Sequence, residues 1–377
     1  MTSTPFEQVP VVATEFFTPD TTELPERATV VVLYGGASAE HDVSRVSAAN
    51  VYAALNPHRY DLVTIAIDRD GVWRTPSRTV PRHGDEGLGG FAIEGEPVEA
   101  MTAIAEVIAS SGDTPVVVVP VVHGPNCEDG TLQGMLELLA VPYVGTGVLG
   151  SSVSMDKAMA KTVLAASGIA QGRFRSAYRW DLSDALIDEM SDDLGYPLFV
   201  KPANMGSSVG VSRATDRAGF VAALHEALRH DELVVVEETI VGREVEIAVL
   251  GNEAPMVSLP GEILAGAEFY DFDDKYRDGV SKTVTPADLS DAQIGEMRAI
   301  ALATYRALRA EGLARVDMFL EEDGRGFLVN EINTLPGFTS ISMYPMMWQA
   351  SGIGYGELLD EMIRLAFARH ARRRFTS

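Results

Sequence analysis

Residues 314–333, "ARVDMFLEEDGRGFLVNEIN", carry the most informative pattern in the sequence. Apolar residues alternate with polar ones on either side of an Asp-Gly pair, a pattern that predicts two antiparallel strands joined by a short turn. If the hairpin folds about Gly324, Asp317 faces Glu331 and Arg315 faces Asn333. Because side chains two positions apart share a face of a strand, we expect all four on one face.

Two interpretations of this polar face remain open from the hairpin alone. Facing carboxylates repel each other unless a cation lies between them, and Asp317 and Glu331, with the amide of Asn333, are oxygen ligands that suit Mg²⁺. The alternative is a solvated hairpin face with a cross-strand arginine. The next segment, "TLPGFTSISMYP" (334–345), adds backbone N–H groups and hydroxyls just beyond the acids, which favours a binding site.

The composition of the 377-residue chain indicates a folded protein of two or three domains, with 46% hydrophobic and 22% charged residues. Its net charge of −24 argues against nucleic acid as a main partner, because phosphate backbones need clustered Lys and Arg. An anionic substrate therefore needs a locally basic pocket. The longest apolar run, residues 116–122, is too short to span a membrane.

The first residues and the cysteine content bear on location. Residues 1–26 contain no Lys or Arg and are rich in Thr, Pro and Glu, so we expect a partly disordered extension rather than a signal peptide, which has a basic start. The single cysteine, Cys127, excludes an internal disulfide and fits a reducing compartment. We therefore expect a cytoplasmic protein.

The order of predicted elements changes part-way along the chain. "ATVVVLYGG" (28–36) and "YDLVTIAID" (60–68) are buried strands on either side of an amphipathic helix, which predicts a βαβ unit with a parallel sheet. Strand pairs without intervening helices follow in residues 197–214 and 232–251, so the expected fold class is α/β and then α+β. Between the two parts we expect a helix with serine caps before it and Gly168 at its end.

The segment "KPANMGSSVGV" (201–211) forms the turn of one predicted strand pair. Its lysine, glycines and serines can fold over phosphates and donate hydrogen bonds from backbone N–H and hydroxyl groups. It is neither a Walker loop nor a Rossmann fingerprint. An ordinary flexible hairpin remains the alternative.

A set of motifs resembles the D-alanine–D-alanine ligase family of the ATP-grasp superfamily, in the family's order, from about residue 28 to the C-terminus. The motifs are "GGASAEHDVS", "HGPNCEDGTLQG", "MDK", "FVKPANMGSSVGV", "EFYDFDDKY", "LARVDMFL" and "NEINTLPGFTSISMYP". The resemblance implies a three-domain ATP-grasp fold with ATP between the antiparallel sheets of the second and third domains. The expected boundaries are an extension at 1–27, an α/β substrate-binding domain at 28–147, a central domain at 148–239 and a C-terminal domain at 240–377.

The resemblance also implies which residues bind ATP and metal. The set expected at ATP is Lys157, Lys201, Glu237, Glu238, Ile240, Glu244 and Lys275. The lysines contact phosphates, the first and last glutamates bind adenine and ribose, and the backbone at 238–240 touches the adenine edge. The ligands expected for two magnesium ions, which manganese can replace, are Asp317, Glu331 and Asn333.

The implied reaction joins two D-alanines through an acylphosphate, driven by ATP, for peptidoglycan precursor synthesis. The residues expected at the substrates are Glu40, Val43, His123, Ser207, Tyr276, Arg315, Gly337, Ser342 and Met343. Glu40 receives the ammonium of the first D-alanine, and His123 lies near its carboxylate. Arg315 and the backbone N–H of Gly337 stabilise the tetrahedral oxyanion.

The other residues expected at the substrates bind the second substrate or close a loop over the site. Ser342 and Met343 match the positions that bind the carboxylate of the second substrate. Ser207 and Tyr276, together with Glu40, match the residues that latch the loop "EFYDFDDKYRDG" (268–279) over the site. Closure protects an acylphosphate from water.

The chain departs from the family pattern at one place and leaves alternatives open. Asn126 and Cys127 stand where relatives usually have an aromatic residue and a glycine; we interpret the cysteine as passive, because no general base is assignable to it. Tyr276 in "DKY" resembles the type that uses D-alanine twice, and a D-alanine–D-lactate or D-alanine–D-serine ligase is the alternative. A nucleotide-binding module without catalysis is a second one. Family analogy suggests a homodimer.

Overall fold

The computed structural model describes residues 22–84, 87–264 and 282–373, which form fifteen strands and ten helices around three sheets. Residues 1–21 of the predicted extension lie outside the described residues. The whole loop 268–279, with Lys275 and Tyr276, also lies outside them. None of the described helices is long and apolar enough to cross a membrane.

The first sheet has five strands in the order β4-β3-β2-β1-β5, with β1 parallel to both β2 and β5. All eight residues of β1 are buried, as expected for a parallel sheet covered on both faces. This confirms the predicted α/β part. The elements are β1 Ala28–Gly35, α1 His41–Ala54, β2 Tyr60–Ile67, β3 Trp73–Arg74, β4 Pro97–Val98, α2 Ala100–Ser111, β5 Val116–Pro120 and α3 Thr131–Leu138.

The second sheet has four antiparallel strands in the order β6-β9-β7-β8. Its core is built on fully buried side chains, among them Val200, Phe220 and Val236. The elements are α4 Val148–Met155, α5 Lys157–Ala166, β6 Phe174–Tyr178, α6 Asp184–Leu194, β7 Leu198–Pro202, β8 Ser212–Ala214, α7 Arg217–Ala227 and β9 Leu233–Glu238.

The third sheet runs β13-β12-β10-β14-β15, with β11 paired to β10. Its core contacts the core of the first sheet, because Ala248 and Leu313 lie in one apolar cluster with Val32, Trp348 and Met362. The elements are β10 Arg243–Gly251, β11 Met256–Val257, β12 Gly261–Leu264, β13 Lys282–Val284, α8 Asp291–Ala307, β14 Gly312–Glu321, β15 Gly326–Asn333, α9 Met343–Ala350 and α10 Tyr355–Arg373.

The strands predicted in residues 232–251 are present, but the expectation that they pair with each other is wrong. β9 lies between β6 and β7, whereas β10 lies between β12 and β14 in the other sheet. The link at 239–242 carries the chain from one sheet to the next. Local strand signals identify strands, while the choice of partner depends on distant residues.

The helix predicted to have serine caps is two helices, and its cap is an aspartate. Asp156 is extended between α4 and α5, and its carboxylate accepts a hydrogen bond from the N–H of Met159 at 2.9 Å. The serines 151, 152 and 154 lie inside α4. A carboxylate caps α5 better than a distant serine because it reaches the free N–H groups of the first turn and suits the helix dipole. This break makes Lys157 the first residue of α5.

Helix α5 connects the two antiparallel sheets. Ala160 and Leu164 pack in the core of the third sheet, and Ala158 packs with Val235 of the second. A backbone hydrogen bond from Val329 to Ala170 also joins them, at 2.9 Å. The two sheets therefore form the walls of a cleft whose floor includes the start of α5.

Candidate active site

Two adjoining cavities occupy the space between the sheets and the first domain. The larger, of about 540 Å³, lies between the second and third sheets. The smaller, of about 130 Å³, lies toward α1 and β5. Lys157, Ser207, Glu246 and Glu331 line both, so the cavities form one continuous cleft.

The hairpin has the predicted register at its polar end. Arg315 pairs with Asn333 and Asp317 with Glu331, but the next pair is Met318 with Val329. This β-bulge leaves Asn330 as an extra residue, and re-aims side chains as bulges near binding sites commonly do. Strict alternation along the strand does not predict that both Asn330 and Glu331 line the larger cavity, as they do.

The guanidinium of Arg315 forms ion pairs with two carboxylates. Its Nε and Nη2 atoms each lie 2.7 Å from an oxygen of Asp317, and Nε is 3.1 Å from Oε2 of Glu246. Burial acts to lower the pKa of Arg315, but the two carboxylates reverse the effect and hold that pKa well above its ordinary value. The guanidinium is therefore permanently charged beside the smaller cavity, which it lines.

The hairpin acids and amide fit a divalent cation. Asp317, Glu331 and Asn333 offer only oxygen ligands, which is the chemistry that Mg²⁺ selects. The side-chain oxygen of Asn333 is buried and has no hydrogen-bond partner among the described residues. A buried amide oxygen without a partner is costly, and a cation would satisfy it. The solvated-face alternative does not account for this oxygen.

A group of lysines faces these acids from α5 and β7. The Nζ of Lys157 is 2.6 Å from the carbonyl oxygen of Met205 and 3.9 Å from Oε2 of Glu331. The Nζ of Lys201 is 2.9 Å from Oε2 of Glu237. They supply the locally basic wall that an anionic substrate requires in a chain of this net charge.

A third lysine, Lys161, was missed by the sequence analysis. It is buried, with Nζ 3.3 Å from Oε1 of Glu237 and 3.5 Å from the carbonyl oxygen of Asn330. Burial acts to raise the pKa of Glu237, but the charges of Lys161 and Lys201 prevail and lower it to about 2. Its position four residues after Lys157 places both on one face of α5, which is a signal the sequence did contain.

The other residues expected at ATP lie around the larger cavity. Glu237, Glu238, Ile240 and Glu244 line it together with Lys201. The carboxylate of Glu238 binds the guanidinium groups of Arg173 and Arg325.

Most residues expected at the substrates meet around the smaller cavity. Those that line it are Glu40, His123, Ser207, Arg315, Gly337, Ser342 and Met343. Val43 does not line either cavity; it is fully buried, and its Cγ1 is 4.0 Å from the place where a side chain on Gly337 would begin. Val43 therefore packs against the backbone at Gly337 without lining the cavity.

Glu40 is held at the entry of α1 with its carboxylate available to the cavity. It is the residue before the first turn and makes no side-chain capping hydrogen bond. A Cβ on Gly206 would lie 4.0 Å from Oε2 of Glu40, so the Gly/Ser loop passes close to this acid. In that loop Ser207 and Ser208 have φ of 53° and 58°, a strained conformation of the kind that accumulates at functional sites.

Glu128 is a second residue that the sequence analysis missed. Carboxylate oxygens of Glu40 and Glu128 and a ring nitrogen of His123 all lie within 4.8 Å of one another. Burial raises the pKa of Glu128 to about 7, although its carboxylate accepts a 2.6 Å hydrogen bond from the N–H of Gly124. Cys127 is buried nearby, and burial raises its pKa to about 12, so it is not a reactive thiolate.

Comparison with known proteins identifies the family. The family described as D-ala D-ala ligase N-terminus matches residues 29–146, and the one described as D-ala D-ala ligase C-terminus matches residues 163–364. The chain belongs to the D-alanine–D-alanine ligase family.

The sequences of individual relatives align with most of this chain. It is 44% identical over 349 residues to the D-alanine–D-alanine ligase of Geobacillus thermodenitrificans, covering 90% of this chain and 96% of the relative. It is also 44% identical over 366 residues to the D-alanine–D-alanine ligase of Pseudarthrobacter chlorophenolicus, covering 90% and 94%.

Solved structures of the same family share the fold. The D-alanine–D-alanine ligase from Coxiella burnetii superimposes with a TM-score of 0.75 at 36% identity, covering 92% of this chain and 96% of that one. VanG D-Ala:D-Ser ligase from Enterococcus faecalis superimposes with a TM-score of 0.73 at 32% identity, covering 90% and 99%. The predicted ATP-grasp fold is confirmed.

The pKa of Glu128 predicts a pH-dependent stability. Because its pKa is about 7 in the folded protein and about 4.5 in the unfolded chain, this carboxyl adds stability below pH 4.5 and that stability is lost as the pH rises through 7. Glu128→Gln does not titrate, so relative to the parent it gains about 3 kcal/mol of unfolding free energy between pH 4.5 and about pH 8. Urea unfolding of both proteins across this range measures the difference; a difference that does not change with pH contradicts the assignment.

Proposed function

We propose that the continuous cleft is a single active site that joins two D-alanine molecules into D-alanyl-D-alanine, through an acylphosphate, with release of ADP and phosphate. The observation that carries this proposal is the meeting of oxygen ligands on the hairpin with lysines from α5 and β7. That arrangement suits the phosphates of ATP and a divalent cation, and the family consists of ATP-dependent ligases. The product is a peptidoglycan precursor.

The larger cavity receives ATP in this proposal. Lys157 and Lys201 neutralise phosphate charge, Glu237 and Glu244 bind adenine and ribose, and the backbone at 238–240 lies along the adenine edge. The lysine contacts keep Glu237 ionised, and an ionised carboxylate accepts a hydrogen bond from the amino group of adenine. Because the side chain of Glu238 is already paired with arginines, only its backbone is expected to contact the base.

Asp317, Glu331 and Asn333 would hold the divalent cations beneath the terminal phosphates. Two magnesium ions held by these residues would supply charge neutralisation for phosphoryl transfer. The unpartnered oxygen of Asn333 supports its place in this set.

The smaller cavity receives the amino acids. The carboxylate of Glu40 pairs with the ammonium of the first D-alanine, near His123 and Glu128. A carboxylate oxygen of this substrate attacks the γ-phosphorus of ATP, and the bond to the β-phosphate oxygen breaks, which leaves ADP. The acylphosphate is a better electrophile than a carboxylate, because its carbonyl carbon bears a good leaving group.

The second D-alanine reacts as its free amine in the next step. Its nitrogen attacks the acyl carbon, and the oxyanion that forms is stabilised by the guanidinium of Arg315 and the N–H of Gly337. Phosphate then leaves with the C–O bond electrons, and the nitrogen loses a proton. The carboxylate of this substrate lies against Ser342 and Met343. The hydroxyl of Ser342 is ordered by Thr339, whose N–H lies 3.0 Å from it.

Further parts of the proposal concern closure and organisation. Ser207 lines both cavities. The roles proposed for Tyr276 in latching the loop and for Lys275 at the γ-phosphate fall on residues outside the described part of the chain. We place the domains at 28–147, 148–239 and 240–377, after the extension at 1–27. A cytoplasmic homodimer is the form expected of such an enzyme.

The product distinguishes this function from its alternatives. We expect D-alanine alone to support ADP release, with one D-alanyl-D-alanine formed for each ADP. The reason is that both amino-acid positions of the smaller cavity are proposed to bind D-alanine. Mass spectrometry of reactions with D-alanine alone, and with D-lactate or D-serine added, identifies the products. ADP release only with an added acceptor would assign the D-lactate or D-serine activity instead; ATP binding without ADP formation would mean a nucleotide-binding module.

Arg315→Ala tests the oxyanion assignment. We expect kcat to fall by about 10²–10³-fold, because a preorganised donor to the oxyanion is lost, while the affinity for ATP stays close to that of the parent. Steady-state kinetics and calorimetric titration with ATP measure the two effects. Arg243→Ala is the control, since Arg243 binds the carboxylate of Glu262 in the same sheet but lies outside both cavities. Parent-like turnover in Arg315→Ala contradicts the role.

A further inference from the structure

Glu246 is a buried acid of the cleft to which the reaction described above gives no part. It lies on β10 directly opposite Asp317 on β14, is 5% exposed, and lines both cavities. Its neighbours Val245 and Ile247 point into the core of the third sheet. Because successive side chains of a strand alternate between faces, this anchoring fixes the carboxylate on the cleft face.

Asp317 has two proposed roles that conflict: it is the ion-pair partner of Arg315 and a ligand of the divalent cations. Both oxygens of Asp317 are bonded to this guanidinium, at 2.7 Å each. Asp317 is also in the proposed cation-binding set, and a carboxylate with both oxygens engaged must release at least one to bind a metal ion. The largely buried guanidinium would then lose much of its counter-charge, and a buried charge without a partner is strongly destabilising.

We propose that Glu246 is the permanent counter-anion of Arg315, which keeps the guanidinium in place when Asp317 turns to the cation. The inference rests on the proposed function of the site. Glu246 approaches the guanidinium at Nε, 3.1 Å away, from a different strand than Asp317 does. Release of Asp317 therefore leaves one carboxylate contact intact and frees Nη2 to face the oxyanion. Glu246 therefore acts as a positioning residue.

The inference predicts a weaker cation site when the charge of Glu246 is removed. In Glu246→Gln, Asp317 is the main remaining anion at Arg315 and is less easily released. Removing a group that orients a metal ligand typically weakens metal binding about 10–100-fold, and we expect an effect in that range. Glu246→Asp keeps the charge and should recover part of the affinity.

Electron paramagnetic resonance of free Mn²⁺, titrated with protein in the presence of ADP, measures this affinity without turnover. The matched control is Glu262→Gln, because Glu262 is a buried acid of the same sheet whose arginine, Arg243, lies outside the cleft. We expect parent-like Mn²⁺ affinity in the control. We also expect kcat to fall in Glu246→Gln, with the KM for D-alanine little changed.

A double-mutant comparison separates this mechanism from others. In an Arg315→Met background the guanidinium is absent, so Glu246→Gln should no longer weaken Mn²⁺ binding. The inference is overturned by parent-like Mn²⁺ affinity in Glu246→Gln, by an effect that persists without Arg315, or by the loss of one bound Mn²⁺ per chain, which would make Glu246 a ligand itself. Failure of the proposed function is distinct, because it shows as absence of dipeptide formation by the parent.

Discussion

The antiparallel pairing of β14 with β15 is the interaction on which the rest of the site depends. Arg315 faces Asn333 and Asp317 faces Glu331, and the bulge begins directly after this second pair. A slip of one residue would move every polar side chain of a strand from the cleft face to the core face. The opposite face packs in the core of the third sheet, so the hydrophobic pattern holds the register in which the oxygen ligands meet.

Charge balance across the cleft follows from this geometry. The third sheet contributes mainly acids, and the lysines on α5 and β7 approach from the other wall. Glu237 lies among those lysines and is ionised, since its pKa is about 2. A chain of net charge −24 can therefore accept a polyphosphate, because Lys157 and Lys201 lie together on one wall of the cleft, next to acids that a nucleotide and its cations can rearrange.

The sequence predicted the strands, the main helices and the hairpin register at its polar end because these follow from local periodicity and turn chemistry. It did not predict which strands would share a sheet, nor the bulge at Asn330, because both depend on contacts between distant residues. At the site, the family motifs located many of the residues that line the cavities. Lys161, Glu128 and Glu246 were missed because each is a buried partner of another group, and burial cannot be read from residue type. The alternation in "EVEI" did place Glu246 on the face of Glu244, and that signal was available.

The proposed function requires that the hairpin bind divalent cations beneath the terminal phosphates of a nucleotide. Anomalous diffraction from crystals grown with ADP, phosphate and Mn²⁺ tests it most directly. We expect two manganese peaks in contact with oxygens of Asp317, Glu331 and Asn333, adjacent to the phosphates. Absence of manganese at these side chains, with the three directed apart into solvent while the nucleotide is bound, would contradict it.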